Sequence, residues 1–353
     1  MKKEPEGEWK NWHWQLANSI TNIEQLKEKI NVENFKIDDE KLLNLPIKIT
    51  PYYLELIKKN PILQRTVIPS IEEFVISESE SEDPLDEEQY RKTSCIIHKY
   101  SRRVLFTVTN QCSSYCRYCT RSRMVGNEKN FNRKDWEDAL DYIRSNDVKD
   151  VLLSGGDGLM LSNLQLDFLL GKLSEISNID IIRIGSKVPI VLPYRINSKL
   201  INILKKYNKI KPIYINLHVT HPSEITDEFI EACNKLSTEA NCILGSQTVL
   251  LKGINDDADI LQELFNKLLK NRVVPYYLYQ MDQINGGEHF RCNLDKMIDI
   301  MKSLISYNSG RSIPEFIIDT KIGKIPLRLD YVKRDDNGKY ILTSFEKNKS
   351  INY

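Results

Sequence analysis

From about residue 104 this chain alternates short β-rich runs with amphipathic helical stretches. Strand starts recur about every thirty residues, the length of one βαβ unit. The predicted strands cover residues 104–109, 150–153, 179–184, 212–218, 242–250 and 273–279, with helical patterns near 133–147, 163–176, 197–207, 225–239 and 258–271. Such a series demands a parallel sheet with right-handed crossovers, curved into a barrel or part-barrel. Six strands are fewer than the eight of a complete (β/α)8 barrel. The predicted class is therefore α/β, a partial (β/α)6 TIM-like barrel. A chain of 353 residues buries such a core without disulfide or metal staples.

Flanking segments divide the chain into residues 1–95, 96–285 and 286–353. The first reads as a polar, helical N-terminal region. Trp9, Trp12, Trp14 and Leu16 place bulky groups on one side of a helix docked on the barrel. Residues 78–88 carry Glu78, Glu80, Glu82, Asp83, Asp86, Glu87 and Glu88, the pattern of a solvated linker. After residue 285 the barrel pattern gives way to a helix over 293–306, a strand over 315–319 and a basic loop over 320–327. A hairpin turning at 335–338 ends the chain.

Charge narrows the partners. The 50 basic and 49 acidic side chains leave a formal net charge of +1, which argues against a broad nucleic-acid interface. No run approaches the ~20 apolar residues of a membrane helix. The charged N-terminus lacks a secretory pattern, so a cytoplasmic location with reduced thiols is expected. Of seven cysteines, Cys112, Cys116 and Cys119 fall close together. That clustering indicates metal or redox chemistry rather than a disulfide framework.

Reactive groups of parallel α/β folds gather at the carboxyl ends of the strands. Cys112 follows the first predicted strand; Ser154, Gly155, Gly156 and Asp157 end the second. Ser186 ends the third and His218 the fourth, Gln247 lies late in the fifth, and Asp282 follows the sixth. The CxxxCxxC spacing puts three thiolates on one tight loop. Each can hold one iron of a 4Fe–4S cluster, leaving the fourth iron open; a zinc loop with a distant fourth ligand is the alternative.

At this motif the sequence resembles the radical S-adenosylmethionine superfamily. That resemblance implies an open iron that binds S-adenosyl-L-methionine. It also matches Gly155, Gly156 and Asp157 to the motif receiving the cofactor's amino group, with the carboxylate pairing to the ammonium. The resemblance narrows over residues 8–330. Trp9–Leu16, the cysteine segment through Arg121, Leu152–Asp157, Arg183–Ser186, His221–Thr226, Gln247–Asp256, Pro275–Gln280 and Glu288–Arg291 are similar to the lysine 2,3-aminomutase family.

This similarity implies an isomerase that shifts an amino group from Cα to Cβ, and a second cofactor, pyridoxal 5′-phosphate (PLP), held on a lysine. The matching lysine is Lys324, with Lys321 competing because this loop is two residues shorter than the family's. By the same register Lys99 and Arg103 fall near the PLP phosphate, and His218 and Gln247 near the ribose and methionine of S-adenosylmethionine. Arg121 matches the grip on the substrate carboxylate. Asp282 and Asp319 match the pair that receives a distal cation.

Two carboxylates favour a cationic amino acid: lysine giving β-lysine, or arginine. A shorter aminomutase group serving elongation factor P is a further alternative, and a non-catalytic iron–sulfur regulator a remote one. The resemblance also implies a low-potential electron donor such as flavodoxin or ferredoxin, and a homo-oligomer. Longer aminomutases add a C-terminal zinc-binding cysteine cluster. Here no cysteine follows Cys292, so no such zinc site is expected.

Overall fold

A computed structural model describes residues 6–31, 45–126, 131–328, 332–334, 340–343 and 350–352. Nine strands form one sheet in sequence order. They are β1 (Ile96–Tyr100), β2 (Arg103–Thr109), β3 (Asp150–Gly155), β4 (Ile181–Ser186), β5 (Ile213–His218), β6 (Ile243–Leu250), β7 (Val273–Gln280), β8 (Glu315–Thr320) and β9 (Gly323–Pro326). Strands β2 to β8 are parallel neighbours, while β1 and β9 run antiparallel at the two edges. The sheet is nearly closed, a partial TIM-like barrel. The six predicted strands are β2 to β7, each within a few residues of expectation.

The helices follow local rules. The chain first forms α1 (Glu6–Trp9), α2 (Trp12–Ala17), α3 (Ile23–Lys27) and α4 (Pro51–Lys59). Around the sheet run α5 (Arg133–Arg144), α6 (Asn163–Glu175), the short α7 (Val188–Val191), α8 (Ser198–Asn208), α9 (Asp227–Asn234), α10 (Ala258–Lys270) and α11 (Leu294–Tyr307). Asn132, Ser162, Asn197, Thr226, Asp257 and Asn293 cap α5, α6, α8, α9, α10 and α11, accepting amides of the first turn. No described helix is long and apolar enough to cross a membrane.

Period-two alternation gives the two faces of each strand different jobs. On β3, Val151 and Leu153 are buried beneath the helices, whereas Leu152 and Ser154 face a central cavity. On β6, Leu244 and Leu250 are buried, while Gln247 and Val249 face that cavity. The lumen therefore carries polar side chains that an ordinary doubly buried sheet excludes.

Three expectations are corrected. The sheet does not end at residue 285, because β8 pairs parallel to β7 and extends the barrel. The basic loop is half strand: β8 and β9 form a hairpin in which Thr320 pairs with Gly323 and Asp319 with Lys324. A two-residue connection, Lys321 and Ile322, accounts for the short loop. The Trp-rich segment docks as predicted, but as two helices, α1 and α2. Trp9 Nε1 donates to Tyr194 Oη at 3.1 Å, and the Arg195 guanidinium covers the Trp12 ring at 4.8 Å.

Side chains close the barrel's remaining gap. The Lys324 amide donates to Tyr100 Oη at 3.1 Å, and Lys99 Nζ donates to the Thr320 carbonyl at 2.6 Å. At the C-terminus, β10 (Val332–Arg334), β11 (Tyr340–Thr343) and β12 (Ser350–Asn352) form a small antiparallel sheet. The predicted turn at 335–338 lies outside the described residues.

Candidate active site

A cavity of about 350 Å³ opens at the carboxyl ends of the parallel strands. All fifteen residues singled out from the sequence line it: Lys99, Arg103, Cys112, Cys116, Cys119, Arg121, Ser154, Gly155, Gly156, Asp157, His218, Gln247, Asp282, Asp319 and Lys324. Lys321 is an exposed turn residue and does not line it.

The cysteine loop is held from outside the barrel by the N-terminal segment. Arg117 is buried; its Nε and Nη2 reach Glu73, and its Nη1 donates to the Leu45 and Pro46 carbonyls at 2.9 and 3.1 Å. The Tyr115 amide donates to the Lys48 carbonyl at 3.1 Å. Burial pushes all three cysteine thiols up, Cys119 to about 11, while Lys48 and Lys187 oppose the shift at Cys112 and Cys116. A buried thiol of this kind ionises readily only when a metal takes the thiolate. Among the described residues no three His, Cys, Asp or Glu side chains converge on a point that could hold one ion. Three thiols of one short loop, all lining one cavity, supply a donor set that fits a 4Fe–4S cluster.

The glycines of the second motif serve the cysteine loop directly. Gly155 has φ +106°, and a Cβ there would stand 2.5 Å from the Thr109 carbonyl oxygen. A Cβ at Gly156 would stand 2.3 Å from the Gln111 carbonyl oxygen. The bare backbone instead donates from Gly156 to Thr109 at 2.6 Å and from Asp157 to Gln111 at 2.9 Å. Gly156→Ala is therefore expected to displace the loop leading to Cys112. The cost is about 1–3 kcal/mol, read as a lowered Tm, together with reduced iron loading.

Asp157 also has a structural task. Its carboxylate accepts the amides of Leu159 at 3.0 Å, Lys187 at 2.6 Å and Val188 at 3.2 Å, bracing the ends of β3 and β4. Those buried amides need an acceptor, and the carboxylate that supplies it also lines the cavity.

His218 is locked by a partner that sequence reasoning missed. Tyr118 Oη lies 2.8 Å from His218 Nε2 and 2.8 Å from Thr220 Oγ1. Burial, with the Lys187 ammonium nearby, holds His218 neutral, well below its usual range. Lys187 itself pairs with buried Glu224 at 3.1 Å. The Ser113 hydroxyl, the Asn216 side-chain amide nitrogen and Gln280 Oε1 line this cavity buried and without partners among the described residues. Such unmet groups fit a polar ligand such as S-adenosylmethionine.

The opposite end gathers charges. Lys324 Nζ pairs with Asp319 across the hairpin and lies 4.8 Å from the Tyr279 ring centre. Asp282 accepts from Thr120 Oγ1 at 2.5 Å, and burial pushes its carboxyl up to about 6, with Asp319 adding to the shift. Arg103 lies over the Tyr100 ring at 3.9 Å. Lys99 is turned to the carbonyls of Leu85 and Thr320, so in this arrangement it ties the barrel gap. One amine backed by a carboxylate, with an arginine and aromatic rings beside it, fits PLP.

The acidic run is not a solvated linker. It wraps onto the cavity mouth, where Glu87 is buried and pairs with Arg121 and Arg123, and Glu80 pairs with Arg291 at 3.1 Å. Glu78, Glu82 and Glu88 remain exposed. Apart from Arg91, which meets exposed Glu88, the arginines that neutralise the run lie far along the chain, so local sequence carries little signal for this.

A model of the radical SAM superfamily matches residues 106–264. L-lysine 2,3-aminomutase of Methanococcus maripaludis is 41% identical over 351 residues, covering 96% of this chain and 80% of that protein. The enzyme of the same name from Clostridium subterminale is 41% identical over 358 residues, covering 98% and 84%. Glutamate 2,3-aminomutase of Clostridioides difficile is 38% identical over 349 residues, covering 97% and 82%.

Proposed function

The chain belongs to the lysine 2,3-aminomutase family of radical S-adenosylmethionine enzymes, and we propose that it moves the α-amino group of L-lysine to the β-carbon, giving β-lysine. It is an isomerase, and its radical SAM domain implies a 4Fe–4S cluster, S-adenosylmethionine and a reductant. Members of the family differ in substrate, as the glutamate enzyme shows. The observation that carries the lysine reading is the pair Asp282 and Asp319 in one cavity with Lys324.

When bound, the cluster and S-adenosylmethionine would supply a hydrogen-abstracting radical, and PLP would carry the migrating nitrogen. Cys112, Cys116 and Cys119 hold the cluster. The Ser154, Gly155 and Gly156 segment, His218 and Gln247 receive S-adenosylmethionine, with Asp157 bracing that wall. Lys324 holds PLP, with Arg103 and Lys99 on the phosphate side. Arg121 takes the substrate carboxylate, for which a guanidinium fork is suited.

The distal ammonium goes to Asp282 and Asp319. Asp319 already pairs with an ammonium, that of Lys324. Asp282 and Asp319 are two largely buried carboxylates facing that one ammonium, so a bound substrate carrying a further cation would balance the pair, because an unpaired buried charge is costly. The ε-ammonium of lysine supplies it. A glutamate side chain would bring a third carboxylate against two.

Asp282→Asn and Asp319→Asn are each expected to raise the KM for lysine. A charge-assisted hydrogen bond is worth roughly 1.5–3 kcal/mol, or about 10- to 150-fold. In Asp282→Asn the turnover number should change little, because the distal amine is held alike in ground and transition states, whereas Asp319→Asn also removes the partner of Lys324 and should lower turnover as well. Asp282 loses its charge as pH falls through about 6, so lysine affinity should weaken over that range. Asp282→Asn should flatten this dependence, as measured by KM against pH. The deciding experiment is an anaerobic assay of cluster-reconstituted enzyme with a low-potential donor, supplying lysine, arginine and glutamate separately. Mass detection of β-lysine supports the proposal, and preferential turnover of glutamate overturns it.

A further inference from the structure

An arginine has five N–H donors on two usable edges. Glu87 takes the side edge of Arg121: Nε donates to Oε2 at 3.1 Å and Nη2 to Oε1 at 2.6 Å. Among the described residues no other side-chain partner of Arg121 is present, so the end edge, Nη1 with the second Nη2 hydrogen, stays available at the cavity wall. Glu87 cannot readily swing away. Its Oε2 also meets Arg123 at 3.3 Å, and Arg123 reaches Asp83 at 3.2 Å and Glu88 at 3.4 Å. The acidic run that carries Glu87 is itself anchored just before it, by Lys99 Nζ donating to the Leu85 carbonyl at 3.0 Å and by the Ser81 amide donating to the Gln283 carbonyl at 2.9 Å.

We infer that Glu87 is a positioning residue for Arg121, presenting the guanidinium's end edge as a preset fork for the α-carboxylate of the substrate. This rests on the reading that Arg121 binds that carboxylate. A free arginine loses much rotamer freedom when it grips a ligand. An arginine already clamped along one edge has lost it beforehand, which is preorganisation. Glu87 also answers the charge of Arg121, which would otherwise be drawn to nearby Asp282 and would take from that carboxylate its place for the distal ammonium.

The test uses anaerobically reconstituted holoenzyme and its E87Q, E87D and R121Q variants. Iron content and KM and kcat for L-lysine are measured, with equilibrium dialysis of L-lysine and of L-lysinamide, which lacks the carboxylate charge. E87Q and R121Q are each expected to weaken L-lysine about tenfold or more, with lysinamide nearly unmoved and KM rising far more than kcat falls. E87D keeps the charge and should show a smaller shift of the same selectivity; it carries the test if E87Q loses iron. Equal loss of both ligands in the Glu87 variants would make Glu87 a mere brace, and unchanged or tighter L-lysine binding would equally overturn the inference. If R121Q itself fails to distinguish the two ligands, the reading of Arg121 falls, whatever the Glu87 variants do.

Discussion

Replacing any one of Cys112, Cys116 or Cys119 with alanine is expected to abolish reductive cleavage of S-adenosylmethionine. Each thiolate is assigned one iron, and no spare thiol stands ready: Cys95, Cys233, Cys242 and Cys292 are all buried and none lines the cavity. A cube left with two protein ligands is not retained. The loss should therefore be complete rather than graded, unlike the tenfold effects expected at substrate contacts. Iron and sulfide analysis of anaerobically purified protein, with 5′-deoxyadenosine formation under a chemical reductant, measures it. Zinc without iron in the unmodified protein would overturn the assignment. The fold should survive, because the loop is anchored by Arg117, Tyr115 and Ser114 through bonds that involve no cysteine side chain.

Replacing Lys324 with alanine is expected to reduce β-isomer formation to background, and borohydride treatment of the unmodified enzyme should fix PLP on the peptide containing Lys324. The hairpin register supports this choice over Lys321. Lys324 lies opposite Asp319 on β9 and lines the cavity, whereas Lys321 sits in the two-residue turn, exposed. Lys321→Ala should accordingly leave activity and PLP content unchanged. Recovery of the label on Lys321 would refute the assignment. A cofactor amine must be nucleophilic near neutral pH and must also be released to the substrate amine. In Lys324→Ala, Asp319 loses its partner cation, and uncoupled S-adenosylmethionine cleavage should persist because the cysteine loop is separate.

Much of this site was legible along the chain, for a local reason. The strand–helix period, the cysteine spacing and the Gly155–Gly156 pair are properties of neighbours in sequence. A period of two or of 3.6 residues, or a φ that only glycine adopts readily, is written in adjacent residues. Because the barrel places every strand's carboxyl end on one face, knowing where the strands stop already gathers His218, Gln247 and Asp282 near the cysteines.

What remained hidden depends on contacts between distant segments. The run 78–88 reads as solvated because it is mostly acidic; apart from Arg91, which meets exposed Glu88, its partners Arg121, Arg123 and Arg291 lie 34 to 211 positions away. The amides of Lys187 and Val188 that Asp157 accepts lie 30 and 31 positions away, just past the end of β4. The 320–327 segment reads as loop because a two-residue turn leaves only a four-residue strand, whose pairing with β8 sets Lys324 against Asp319. Burial decides these cases. A carboxylate kept from water must find a donor or a cation, and local sequence does not hold the partner's address.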